Sequence, residues 1–166
     1  MRSPLAIFTA ILALTLTLTG IGMAGAAGVA PEKKIPALVI SEAEKIALQA
    51  QVDQHIGDYG GGQQIGINEI AYDNGAMILT LPLPGEKMAR RVNEPPTVQG
   101  SPNCPFEYVC LWSDTNFNGT RIARAACQTV TLAAPFNSST ASIHNNQTNN
   151  TQTMILNSNR SILNAN

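Results

Sequence analysis

The chain is short of charge. Lysine, arginine, aspartate and glutamate make up 13% of its 166 residues, about half the usual ~25%. Ten basic and eleven acidic residues leave a net charge of −1. That balance gives no electrostatic reason to expect nucleic acid or an anionic surface as a partner. Aromatics are sparse at 5%. Metal and catalytic signatures are missing as well. His55 and His144 are the two histidines and lie far apart, and no C-x2-C or H-E-x-x-H occurs, which argues against a zinc centre. No G-x-S-x-G elbow appears, and Gly60-Gly61-Gly62 is not followed by the Gly-Lys-Ser/Thr of a phosphate loop. Glu107 and Asp114 could form an acid/base pair of the glycosidase kind. Carboxylates at flexible spacing arise readily by chance, so the chain reads as a non-enzyme.

Long apolar runs are absent after residue 27. Before it, Arg2 opens a short positive region, Leu5 to Leu18 form an apolar stretch, and Ala24-Gly25-Ala26 fits an A-x-A cleavage pattern. Gly25-Ala26-Ala27 fits nearly as well. Leu5 to Leu18 falls short of the ~20 residues a transmembrane helix needs, so residues 1–27 read as a secretory signal peptide. The mature protein is expected to be secreted and free of the membrane. Its solubility must come from Asn, Gln, Thr and Ser, which crowd the C-terminal half.

Two blocks follow, with a proline-rich segment between them. The first, residues 28–82, carries an N-terminal capping box, Ser41 with Glu44, and Glu42 in the first helical turn. Leu48, Val52, Ile56 and Tyr59 then form one apolar stripe of a helix, which Gly60 ends. Ile65 to Tyr72 and Ala76 to Leu81 read as two strands joined by Asp73-Asn74-Gly75, residues suited to a positive-φ hairpin turn. A helix plus a hairpin is too small to bury a core unaided, so this block is expected to dock onto something or to serve as a propeptide.

Residues 83–102 carry Pro84, Pro95, Pro96 and Pro102 with Gly85 and Gly100 and read as an extended linker. Lys87, Arg90 and Arg91 within it are expected to be solvated, with cleavage for maturation as the other reading. From residue 103 to 166 the pattern is mainly β. Tyr108–Trp112, Thr120–Arg124, Thr129–Leu132, Ala141–Asn145 and Thr153–Leu156 are the expected strands of an antiparallel Greek-key sandwich. The tail beyond them reads as bare and polar.

Three cysteines are present: Cys104, Cys110 and Cys127. In an exported chain Cys104 and Cys110 are expected to pair across a C-x5-C loop. Cys127 would then be a buried apolar group, an intermolecular thiol, or the true partner of one of the others.

Residues 104–119, CPFEYVCLWSDTNFNG, concentrate the most information. Trp112, Phe117 and Gly119 have the ring-x4-ring-x-Gly spacing of a hairpin folded over its own strand, with the second ring on the first and glycine at positive φ. Cys104-Pro105, Tyr108 to Trp112, and Asn116-Phe117-x-Gly119 together resemble the secreted actinobacterial peptidase-inhibitor family typified by the Streptomyces metalloproteinase inhibitor. Ala141-Ser142-Ile143-His144-Asn145 resembles the segment carrying that fold's motif serine, Ser142. The resemblance implies a βγ-crystallin-like domain of two Greek keys, an extracellular protease as partner, and inhibition through a rigid loop. It stops short at two points. No second aromatic-x4-aromatic-x-Gly follows, which leaves room for completion by the N-terminal block or in a homodimer. No stretch matches the family's protease-binding loop, so no reactive-site residue carries over.

The exposed turn of Ser113, Asp114, Thr115 and Asn116 is one candidate inhibitory loop, with an ordinary Asp/Asn-rich turn as the plainer reading. No cofactor is expected. A calcium site of the crystallin kind would draw on Asn137 and Thr140, but Ala141 stands where the ligating serine belongs. The rival to inhibition is an extracellular binding or structural module of the cell envelope.

Overall fold

The computed structural model describes residues 39–125, 129–132, 136, 140–157 and 159–165. The expected leader, Cys127 and Asn137 lie outside the described residues. Helix α1 spans Glu42–Tyr59. Its N-terminus is closed as the sequence implies: the Glu44 amide donates to Ser41 Oγ, and the Ser41 amide donates to the Glu44 carboxylate. The Ser41 hydroxyl also donates to that carboxylate, and this bond, with the one from the Ser41 amide, lowers the Glu44 carboxyl below its ordinary pKa. Gly60, at φ +66°, ends the helix. Leu48 and Val52 are its buried residues, and Ile56 and Tyr59 pack beside them.

Among the described residues the strands are β1 (Gln63–Gly66), β2 (Glu69–Tyr72), β3 (Met77–Thr80), β4 (Val109–Trp112), β5 (Arg121–Arg124), β6 (Ser142–Asn145), β7 (Met154–Leu156) and β8 (Ile162–Ala165). The described part of the fold is therefore mainly β with one long helix. Six strands form an antiparallel sheet in the order β1-β2-β3-β5-β4-β6, and β7 pairs with β8 in a second, small sheet. Asp73-Asn74-Gly75 makes the β2–β3 turn, all three at positive φ.

Four expectations change. Ile65–Tyr72 is two strands, because the chain reverses tightly at Ile67-Asn68. Asn68 is buried and donates its amide hydrogens to the carbonyls of Leu81 and Arg90. Thr129–Leu132 is not a strand. Both edges of β5 are already occupied, by β3 and β4, so the chain leaves the sheet and Leu132 packs on the core instead. The tail is not bare, since β8 pairs with β7.

The fourth change concerns the proline-rich segment. Leu83 and Ala89 are buried, and the Arg90 side chain is only 7% exposed. Arg90 forks onto Glu86 and also donates to the carbonyls of Arg91, Val92 and Glu94. Arg91 pairs with Glu69 at 3.0 Å. A guanidinium with that many donors folds its own loop around itself. Exposure is continuous only from Pro95 to Ser101.

Period-two alternation gives the main sheet two distinct faces. Ile70, Leu79, Ile122 and Leu111 face α1 and share a core with Leu48, Val52, Leu81, Leu83 and Phe136. Cys110, Trp112 and Ala123 occupy the other face and pack with Cys104, Tyr108 and Phe117. Arg121 lies on this second face with a side chain 1% exposed.

Candidate functional site

Strand β4 organises the candidate site, since a tied loop stands at each of its ends. At the C-terminal end, Trp112 is fully buried and Phe117 lies edge-on against it, ring centroids 5.0 Å apart. Such a pair adds about 1 kcal/mol beyond the area it buries. Between the rings the chain forms one 3-10 turn, Thr115–Phe117, with Asn116 and Phe117 both at positive φ. Gly119 lies at φ +76°, and a Cβ there would collide with Ser113 Oγ and the Asp114 carboxylate. Glycine is required on both counts.

Ser142, arriving on β6, closes this corner. Its hydroxyl accepts from the Phe117 amide at 3.1 Å and donates to the Asp114 carbonyl at 2.8 Å. Ser113 Oγ accepts from the Thr120 amide, and Asn118 donates its side-chain amide to Thr115 O. The structure thus brings Trp112, Phe117, Gly119 and Ser142 together. Asp114, Thr115 and Asn116 form the exposed tip, while Ser113 is half-buried beneath it. The tip is a tight turn, extended at Asp114 and left-handed at Asn116, and much of its hydrogen bonding is satisfied internally.

At the N-terminal end of β4, Cys104 and Cys110 are joined in a disulfide with Cα atoms 5.7 Å apart. Both are buried. The ring they close contains the turn Pro105–Tyr108, in which the Tyr108 amide donates to the Pro105 carbonyl at 3.3 Å. Asn146 staples the ring at three points. Its carbonyl accepts from the Glu107 amide, its amide donates to Tyr108 O, and its side chain donates to Cys104 O, all at 2.8–2.9 Å. Phe106 projects from the tip at 65% exposure. Sequence reasoning singled out the two sulfurs but not Phe106 or Asn146. A five-residue ring between two buried cysteines was the signal that its middle residues must stand clear of the body.

Behind β4, Arg121 meets Glu94 at 3.4 Å and donates to Asn103 O. Burial pushes the Arg121 guanidinium down from its usual pKa, against the pull of Glu94. These groups fasten the segment before Cys104 to the sheet. Among the described residues no cluster of three or more His, Cys, Asp or Glu side chains could hold a metal ion. Thr140 donates its hydroxyl to Phe136 O. Glu107 and Asp114 stand at opposite ends of β4, one in each loop. Among the described residues, no helix is long and apolar enough to cross a membrane.

No curated protein and no solved structure matches the chain. Residues 98–160, which supply both loops, β4, β5 and the Ser142 clamp, match the family model described as peptidase inhibitor family I36.

Proposed function

We propose that the protein is a secreted inhibitor of extracellular peptidases, with metallopeptidases as the target class favoured by its sequence resemblance. One observation carries this reading: the family match falls on the segment that builds two covalently or hydrogen-bond-braced loops at the ends of a buried strand. The disulfide and the apolar leader support an oxidising compartment outside the cytoplasm. The Trp112–Phe117–Gly119–Ser142 corner supports a crystallin-like Greek-key reading of the C-terminal part.

Inhibition follows physically from such a body. A loop held in one conformation before contact loses little entropy on binding, so more of the contact energy appears as affinity. Its backbone also moves little between free and bound states. No reacting group is needed on the inhibitor, and the reading requires no cofactor.

The test is a titration of the purified protein against a thermolysin-type metallopeptidase and a subtilisin-type serine peptidase. Stoichiometric loss of peptide hydrolysis supports the proposal. Unchanged rates with both enzymes at micromolar protein reject it and leave the envelope-binding module.

A further inference from the structure

Resting on the inhibitor reading, we propose that the Cys104–Cys110 ring is the element that enters the target, with Phe106 filling an apolar, aromatic-accepting specificity pocket of the peptidase. Phe106 is the one exposed aromatic side chain among the described residues; Trp112, Tyr72 and Phe136 are buried, and Tyr59, Tyr108 and Phe117 are half-buried. A single exposed ring on an ordinary surface needs no explanation. This one stands on a loop closed by a disulfide and stapled three times by Asn146. Rigid aromatic anchors dominate the energetics of protein interfaces.

The turn itself carries a second observation. Glu107 sits at φ +71°, a conformation that glycine adopts freely and a glutamate does not. Strained backbone of this kind gathers at contact sites, where the surroundings over-determine it. Here the strain orients the residue beside it: with Glu107 at the second corner of the Pro105–Tyr108 turn, Phe106 occupies the first corner and points away from the body. The alternative loop offers no comparable anchor. Asp114, Thr115 and Asn116 are small and polar, and the turn's carbonyls and amides are committed to Ser142 and Asn118.

The geometry also fixes the manner of contact. Peptidases cleave backbone laid out as a strand, whereas the Phe106–Glu107 peptide is folded inside a hydrogen-bonded turn. The ring therefore plugs a side-chain pocket without offering its own peptide bond to the catalytic groups. The inhibitor is expected to survive prolonged incubation uncut between residues 106 and 107.

The experiment measures inhibition constants of the wild-type protein and of Phe106→Ala, Phe106→Tyr, Thr115→Ala and Ile46→Ala. The panel is thermolysin-type, subtilisin-type, chymotrypsin-type and trypsin-type peptidases, with a Tm for each variant. Phe106→Ala should weaken inhibition at least about tenfold at a nearly unchanged Tm, because the ring is mostly exposed in the free protein. Phe106→Tyr should stay within about threefold of wild type on the same grounds, and the exposed Ile46→Ala should match wild type. Inhibition should be strongest where the pocket is apolar and weakest for the basic-residue-selective trypsin type. Wild-type potency in Phe106→Ala overturns the inference while the inhibitor reading stands, as does loss in Thr115→Ala alone. Failure of the wild-type protein against the whole panel overturns both.

Discussion

The hydroxyl of Ser142 bonds both to the amide of Phe117 and, through the same oxygen, to the carbonyl of Asp114, so one β6 side chain holds both limbs of the turn that follows β4. Removing it strands a donor and an acceptor together. Ser142→Ala is expected to lower stability by about 2 kcal/mol, read from urea denaturation. A midpoint equal to wild type would show that water replaces the clamp without loss.

Gly119 and Gly85 have nearly the same φ, +76° and +78°, in different surroundings. Open space surrounds Gly85, so Gly85→Ala is expected to cost only about 1 kcal/mol of left-handed strain. Gly119 is crowded by Ser113 and Asp114, and both its backbone groups are tied, its amide to Lys87 O and its carbonyl to the Ala89 amide. Relief requires Ser113 Oγ to give up its bond from the Thr120 amide and the Asp114 carboxylate to turn away. Gly119→Ala should cost roughly 3 kcal/mol or more, and equal thermal shifts for the two variants would refute the distinction.

Arg121 and Glu94 form a pair in which one partner is almost wholly withdrawn from water. Glu94→Ala leaves that guanidinium buried with Asn103 O as its remaining partner, at an expected cost of about 3 kcal/mol. Arg121→Met removes the charge and keeps the stem, so it should be nearly neutral. The double variant should therefore recover most of what Glu94→Ala loses. Additive losses in chemical denaturation would argue against the pair.

His55 stacks on Tyr59 at 5.7 Å, and its carbonyl accepts from the Tyr72 hydroxyl. Burial lowers its imidazole below the ordinary pKa, with Asp58 opposing. A depressed histidine favours the unfolded chain when protonated. Its stabilising contribution is complete above the ordinary value of ~6.5 and fades as pH falls through the folded value. Tm should drop across that window, and His55→Gln should flatten the slope. An equally steep profile in the variant would place the effect elsewhere.

How much of this was legible depended on the range of the interaction. The Ser41–Glu44 box, the Leu48–Val52 stripe and the Asp73-Asn74-Gly75 turn are local, and each could be read from neighbouring residues. The Trp112–Phe117–Gly119 corner was legible because its parts lie within eight positions of one another. Arg90 and Arg91 were read as solvated because no local pattern announces that the Asn68 side chain donates to the Arg90 carbonyl or that Arg91 pairs with Glu69. The β-branched run at Thr129–Leu132 misled, since strand propensity says nothing about whether a sheet edge is vacant. Phe106 was missed because exposure of a ring residue depends on which way a turn faces.

Leu79 of β3 lies opposite Ile122 of β5, with hydrogen-bonded partners on either side. The region that carries the family match therefore borrows its neighbour strand from outside the match. A fragment trimmed to begin at residue 98 would keep β4 and β6 but present the flank of β5 as a row of unanswered amides and carbonyls. Such a flank recruits whatever strand it meets, so the shortened polypeptide should cluster with copies of itself more readily than the longer one.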